Sequence, residues 1–380
     1  MRMFKETSLI FSRQLDRVET LGRYTIVRRY GKMVGLLALL AIAIVFPLVF
    51  SNSEETGIAL FALIFAAAVT GWNIFSGYTG YISLGHAAYF GTGAYALAII
   101  CQVWNVPAGY TPFLFVPVAG LVAAVLAVPV GWIALRVRRH TFVVITIAIF
   151  FIFQLLAINL TEQYTTTGSL NLPIPVDWTG DFYNIPFYYA SLILLLVAIA
   201  ISWWVRNSKY GLGLLAIRDD EDRALGLGVK TVPSKLAAFV ISAFIVGMAG
   251  AIWAYYVFVI YPPTAFDATF DVAFVLMAFL GGVGTISGPI LGALLLESTQ
   301  QYFTSVLTQN GGYYLIAYGA LFLAVILLLP RGIIPTLSER WARYQVSRHQ
   351  SLQEHDAIVT ALPTPDGVAE NVERKEGINL

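Results

Sequence analysis

Charge is what this chain has least of. Only 12% of its 380 residues are Asp, Glu, Lys or Arg, against 58% apolar residues, and its mean hydropathy is +0.74, beyond the range of soluble domains. Cysteine occurs once, at Cys101, which excludes an internal disulfide and any cysteine metal site. Catalytic signatures are missing too. The chain has no Gly-x-x-x-x-Gly-Lys-Ser/Thr phosphate loop, no His-Glu-x-x-His, no Cys-x-x-Cys and no nucleophile elbow, so an integral-membrane enzyme has no residue constellation to support it. A cleavable leader is not expected. The basic segment before Val34 is too long for one, and "VGLLALLAIAIVFPLVF" runs on without a small-residue cleavage site, so it reads as an uncleaved first span.

What is present is a series of apolar runs long enough to cross a bilayer as helices, which takes about 20 residues. The expected fold class is an all-α integral membrane protein, a polytopic bundle of about 8–10 transmembrane helices with Gly-broken half-helices. The expected spans are 34–50, 57–75, 82–101, 112–135, 141–160, 186–205, 236–258 and 313–329, with 270–307 either two crossings or one re-entrant pair. All 23 Lys and Arg fall within the first 32 residues, "RVRRH" at 136–140, the segment 206–235 and the chain after Pro330. The stretches "SNSEET", "CQVWNVPAGY", "TEQYTTTGSLNLPIPVDWTGDFYN" and "IYPPTAFDAT" carry acids and no Lys or Arg. The positive-inside rule then predicts both termini in the cytoplasm and an even number of crossings. The division of the chain is a basic N-terminal segment (1–33), a transmembrane domain (34–335) with a polar loop at 206–235, and a cytoplasmic tail (336–380) whose polar composition predicts disorder.

Two glycine-rich interruptions resemble each other. "FSGYTGYIS" at 75–83 and "FLGGVGTIS" at 279–287 share Phe, Gly, Gly, Ile and Ser in register, and each follows an apolar run directed inwards. Gly-interrupted segments in corresponding halves mark the region of the pathway in transporters built from repeats, although the symmetry type stays open. Glycines let backbones approach closely, and non-helical backbone at membrane depth must be satisfied by protein or a polar cavity. The candidate pathway residues are therefore Ser83, Gly85, His86 and Tyr89 at the first break, and Gly281, Gly282, Gly284, Thr285, Ser287 and Gly288 at the second.

Ionisable side chains within the spans are scarce: Glu297 lies inside an apolar run and Asp271 near a boundary. Proton-coupled carriers usually need such groups, so an ion-coupled secondary carrier is disfavoured. His86 is the one histidine at a membrane helix; His140, His349 and His355 lie in polar segments. The most polar internal stretch is "AIRDDEDRALGLGVKTVPSK" at 216–235. Its acids from Asp219 to Asp222 precede Ala224 and Leu225, and Gly226 and Gly228 close it. Acids suit a helix N-terminus and glycines end a helix, which predicts a short cytoplasmic helix.

The longer stretch "GLGLLAIRDDEDRALGLGVKTVPSKLAAFVISAFIVGMAGAIWA" resembles the cytoplasmic coupling loop and following span of LivM-type permeases, the branched-chain amino-acid subunits of bacterial ATP-binding-cassette importers. The residues that carry it are Ala216, Ile217, Arg218, Asp219, Asp220, Glu221, Ala224, Gly228, Lys235, Ala249 and Gly250. "GYTGYISLGHAAYFGTGAY", "TTTGSLNLPIP" and "FLGGVGTISGPILGALLL" are similar to three further family stretches, and the likeness runs over about residues 34–335. It implies a permease subunit of a prokaryotic cytoplasmic membrane, with residues 216–221, Ala224 and Gly228 docking an ATPase. The implied partners are a second permease subunit, two cytoplasmic ATPases that use ATP and Mg, and an extracytoplasmic substrate-binding protein. No cofactor or metal is expected on this chain, and no nucleic-acid partner. The implied cargo is a branched-chain or related hydrophobic amino acid, with urea or a short amide as the alternative.

Overall fold

The computed structural model describes residues 35, 37–50, 52–165, 168–178, 180–307, 319, 320, 323 and 332–340. The basic segment 1–33, nearly all of the expected span 313–329 and the tail from 341 onwards lie outside the described residues.

Helices account for the architecture. In chain order they are α1 (Leu37–Val49), α2 (Ser53–Trp72), α3 (His86–Val103), α4 (Thr111–Ala134), α5 (Arg139–Tyr164), α6 (Asn184–Asn207), α7 (Lys209–Asp219), α8 (Glu221–Gly226), α9 (Thr231–Val257), α10 (Pro262–Ala265), α11 (Ala268–Gly281) and α12 (Ser287–Leu307). Among the described residues, six helical stretches are long and apolar enough to cross a membrane: Ser53–Gly77, Thr111–Ala134, Arg139–Gln163, Asn184–Asn207, Thr231–Val257 and Pro262–Gly281. A two-residue antiparallel ladder, Leu170–Asn171 against Val259–Ile260, is an addition to the all-α expectation.

Local sequence explains where these helices start. Asn52 caps α2, its side chain accepting from Glu54 N, with Glu54 and Glu55 in the first turn; acids there favour the helix dipole. Asp267 caps α11 in the same way, accepting from Thr269 N at 2.8 Å. Large apolar side chains such as Leu114, Val125, Leu155 and Ile193 stay exposed on α4, α5 and α6, the arrangement expected where the surrounding solvent is hydrocarbon.

The stretch 270–307 forms two helices, α11 and α12, packed on one another, and of the two only α11 belongs to a stretch long and apolar enough to cross a membrane. Its turn, 282–286, lies against Asn73 at the end of α2, while Ser298 and Tyr302 on α12 share a pocket wall with Ile58 near the start of α2. The turn therefore sits at the end of the bundle that carries α7 and α8, called here the charged end. Both breaks have the same polarity, with α2 and α11 running towards the charged end and α3 and α12 leaving it.

Helix α9 is the central element, packing on α2, α3, α4 and α6. Its seam with α3 is made of small residues. A Cβ on Gly93 would fall on the backbone of Gly247, and one on Gly250 on the backbone of Phe90. Without hydrophobic driving force between helices in lipid, this close backbone packing is what holds them together. Gly250→Leu should force the seam apart and cost about 3 kcal/mol, read as a lowered Tm in detergent. Gly226→Ala, which has open space around it, should leave the Tm close to wild type.

Candidate functional site

The two breaks meet. Helix α2 passes through a π-helical turn at Asn73–Gly77 before it ends, a distortion that is rare and concentrated at functional sites. The turn aims the Asn73 amide across at the second break. Asn73 Oδ1 accepts from Gly284 N at 2.8 Å, and Asn73 Nδ2 donates to the Thr285 carbonyl at 2.9 Å. One buried side chain thereby satisfies two backbone groups of the opposite repeat.

The rest of the broken backbone is satisfied piecemeal. Gly80 N donates to the Ser76 carbonyl at 3.1 Å, Tyr81 N to Thr79 Oγ1 at 3.2 Å, and Ser83 N to Ser76 Oγ at 3.3 Å. Trp72 Nε1 donates to the Ser83 carbonyl at 2.9 Å, and Leu84 N donates to Thr146 Oγ1 at 3.1 Å. At the second break, Gly288 N donates to Thr285 Oγ1 at 3.0 Å. Such accounting is what allows irregular chain below the membrane surface.

Two arginines complete it. Arg218 at the end of α7 donates from Nη1 to the Gly77 carbonyl at 2.9 Å, and Arg206 at the end of α6 donates to the Gly284 carbonyl at 2.5 Å. Gly284 has a φ of +80°, and a Cβ there would collide with the Arg218 guanidinium, so the position needs glycine for both its backbone and its neighbour. Arg139 Nη2 holds the C-terminal carbonyls of α7, Ile217 O at 2.8 Å and Arg218 O at 2.6 Å. The second break is also covered from below by the short helix at 333–340, where Gly332 and Pro335 pack on Gly282.

The polar segment forms two helices where one was expected. Asp219 ends α7, and Asp220 leaves helical geometry (φ −154°, ψ 111°) and caps α8, its side chain accepting from Arg223 N. Asp219 is thus at a C-terminus rather than in an acidic first turn. Gly228, at φ +86°, follows the end of α8. Ile217 and Ala224 are buried. Glu221 points inwards, and its carboxylate accepts from Tyr81 OH and from Lys235 Nζ at 2.5 Å. Lys235 is 2% exposed, and its ammonium also lies 4.3 Å from the centre of the Tyr81 ring. Burial on its own would raise the Glu221 pKa, but the hydrogen bonds from Lys235 and Tyr81 and the positive charges of Lys235 and Arg139 outweigh it, holding the carboxyl below its ordinary value.

Deeper in the bundle, Ser83, His86 and Tyr89 are all buried. His86 Nδ1 pairs with Ser83 Oγ and Nε2 with Ser242 Oγ, each at 2.8 Å. His86 lies level with Ser242, roughly 16 Å along α9 from Thr231 at 1.5 Å per residue, so α3 is a half-helix that starts at membrane depth. Its cap residue, Gly85, has no side chain to offer and packs on Thr146. Asp271 of α11 serves instead, Oδ1 accepting from Ala87 N at 2.9 Å. The Tyr89 hydroxyl and Asp271 Oδ2 are buried without a hydrogen-bond partner. Glu297 is buried and accepts from Gln301 Nε2 at 2.9 Å.

The candidate pathway residues therefore fall in three places. Gly281, Gly282, Gly284, Thr285 and Gly288 gather with Gly77 and Asn73 at the charged end, while Ser83, Gly85, His86 and Tyr89 lie deeper against α9 and α5. Ser287 lines a third feature, an apolar groove of about 860 Å³ between α1, α2, α6 and α12. Residues that sequence reasoning passed over are Asn73, Arg139, Arg206 and Ser242. Asn73 had a usable signal, being a lone amide inside an apolar run.

A polytopic helical bundle with paired helix breaks, a half-helix starting at membrane depth and a polar helical segment tied to those breaks is a membrane permease. The family described as "Branched-chain amino acid transport system / permease component" matches residues 55–328, and the chain belongs to it. It is a transport protein of the membrane, not an enzyme in itself. The high-affinity branched-chain amino acid transport system permease protein LivM of Salmonella typhimurium is 27% identical over 329 residues, which is 79% of this chain and 74% of the relative. The LivM of Escherichia coli K12 is 26% identical over the same shares. The permease protein LivH of Salmonella typhimurium is 25% identical over 288 residues, 71% of this chain and 91% of the relative. No solved structure matches the chain.

Lys235→Ala should leave Glu221 half-buried without its cation and loosen α8, lowering stability by about 2 kcal/mol, read by thermal unfolding. The depressed Glu221 pKa stabilises the fold at pH above the ordinary carboxylate range, and that contribution is lost as pH falls through the folded value. Glu221→Gln should therefore flatten the acid limb of stability against pH.

Proposed function

We propose that the chain is the permease subunit of an ATP-binding-cassette importer that carries branched-chain or related hydrophobic amino acids inwards. In this reading both termini and the charged end face the cytoplasm. The drive comes from two cytoplasmic ATPase subunits, which hold the ATP and Mg. A second permease subunit completes the pathway, and an extracytoplasmic binding protein delivers the cargo.

The observation that carries the reading is the form of the 209–228 segment. It is anchored by buried Ile217, Ala224 and Glu221, yet presents Leu212, Leu225 and Leu227 to solvent, Leu227 at 83% exposure. Exposed leucines on an otherwise polar, well-anchored segment suit a groove on a soluble partner. The two curated LivM relatives, whose names carry branched-chain amino acid transport, support the cargo class. An ion-coupled carrier is supported less well, because Asp271 and Glu297 already hold protein partners, Ala87 N and Gln301.

In proteoliposomes, leucine uptake should require ATP, the ATPase subunits and the binding protein together, and this chain alone should give none. Leu227→Glu should weaken ATPase binding about tenfold, the scale of one lost interface anchor, while the chain still inserts. Uptake by the chain alone would sink the importer function.

A further inference from the structure

The glycine breaks and the polar segment form one mechanical unit, and its fastening runs through guanidinium groups that point inwards. We infer that Arg218 and Arg206 are positioning residues that clasp the two breaks to the ends of α7 and α6, so that movement of the polar segment displaces both breaks together. The inference rests on the importer function proposed above.

Each arginine donates to a carbonyl of a different break. Arg218, on α7, holds the Gly77 carbonyl of the first break, and its side-chain stem packs on Gly80 of the same break. Its guanidinium also lies where a Cβ of Gly284 would stand, so it touches the second break as well. Arg206, on α6, holds the Gly284 carbonyl, and its guanidinium lies 5.5 Å from the centre of the Tyr78 ring in the first break. Tyr78 OH in turn pairs with Ser202 Oγ of α6 at 2.8 Å. Each arginine therefore contacts both breaks, and Asn73 ties the breaks directly to one another.

The carbonyls chosen are ones a regular helix would have satisfied. Gly77 O and Gly284 O sit where the chain stops being helical, so they are free to accept from outside. A guanidinium offers several N–H groups in a rigid plane, which suits holding a carbonyl while packing against a neighbouring backbone. The Arg218 backbone is fixed as well, since Arg139 Nη2 donates to the last carbonyls of α7, Ile217 O and Arg218 O. Rotation of α7 is thus transmitted to Gly77 and Gly284 through a short, charge-assisted connection. Lys235, Glu221 and Tyr81 add a parallel tie from α8 to the first break.

The test uses the assembled importer in proteoliposomes, reading leucine carried per ATP hydrolysed. Arg218→Gln and Arg206→Gln should each lower that ratio about tenfold, the loss expected for one charge-assisted hydrogen bond in a device used only during turnover. Arg218→Lys, with a single point of attachment, should fall between them and wild type. Because the two act on one unit, the double variant should be no worse than the poorer single variant. A wild-type ratio in both single variants, or losses that multiply in the double variant, would overturn the clasp. A second measurement avoids altering the arginines. Spin labels at exposed Leu212 on α7 and Phe279 beside the second break should keep one narrow distance through ATP binding and hydrolysis, while both shift relative to a label at Leu155 on α5. A Leu212 to Phe279 distance that changes with nucleotide would also overturn it. ATP-independent uptake by the wild type would instead overturn the importer function itself.

Discussion

The amide of Asn73, accepting from Gly284 N and donating to the Thr285 carbonyl, meets the hardest requirement this chain faces. Backbone that leaves the helix below the membrane surface finds no water to bond, and each unsatisfied group there costs several kcal/mol. The second break can exist because Asn73 of the first supplies partners to two of its backbone groups. Gly77 and Gly284 approach closely enough for this only because neither has a side chain, and the π turn at Asn73–Gly77 is what turns the amide across the gap. Arg206, Arg218 and Trp72, with the hydroxyls of Ser76, Thr79, Thr146 and Thr285, satisfy further groups of the two breaks.

The same requirement sets the rest of the architecture. Close packing of α3 on α9 through Gly93, Gly247 and Gly250 brings His86 within reach of Ser242, and packing of α11 on α3 brings Asp271 to the open start of α3. The polar segment is then fastened from beneath by Arg139, Arg218 and the Glu221, Lys235 and Tyr81 cluster. Its outward side carries leucines and acids; its inward side is committed to the breaks. A segment that is polar in sequence thus has two faces with different duties.

Much of this was legible in the sequence, and for physical reasons. Spans follow from the length of apolar runs, so the boundaries expected for α4, α5, α6 and α9 lie within a few residues of those found. The breaks were visible because "FSGYTGYIS" and "FLGGVGTIS" repeat one pattern. What sequence could not carry was direction and partnership. The family resemblance groups Arg218 with Asp219, Asp220 and Glu221 as one docking surface, yet its guanidinium holds the Gly77 carbonyl while Asp220 caps α8. Asp271 read as a boundary residue because its partner, Ala87 N, belongs to a helix far earlier in the chain. Asn73 stands out as a lone amide inside an apolar run, but its partners, Gly284 N and the Thr285 carbonyl, lie more than 200 residues away.

The capping of α3 by Asp271 bears on how the protein is made. Helices α2, α7, α8 and α11 are capped by the side chain next to them, Asn52, Ser208, Asp220 and Asp267. The start of α3 is capped from 184 residues further along, by a helix synthesised after α9. The amide of Ala87, inside the bundle, therefore finds its carboxylate partner only once the second half of the chain is in place.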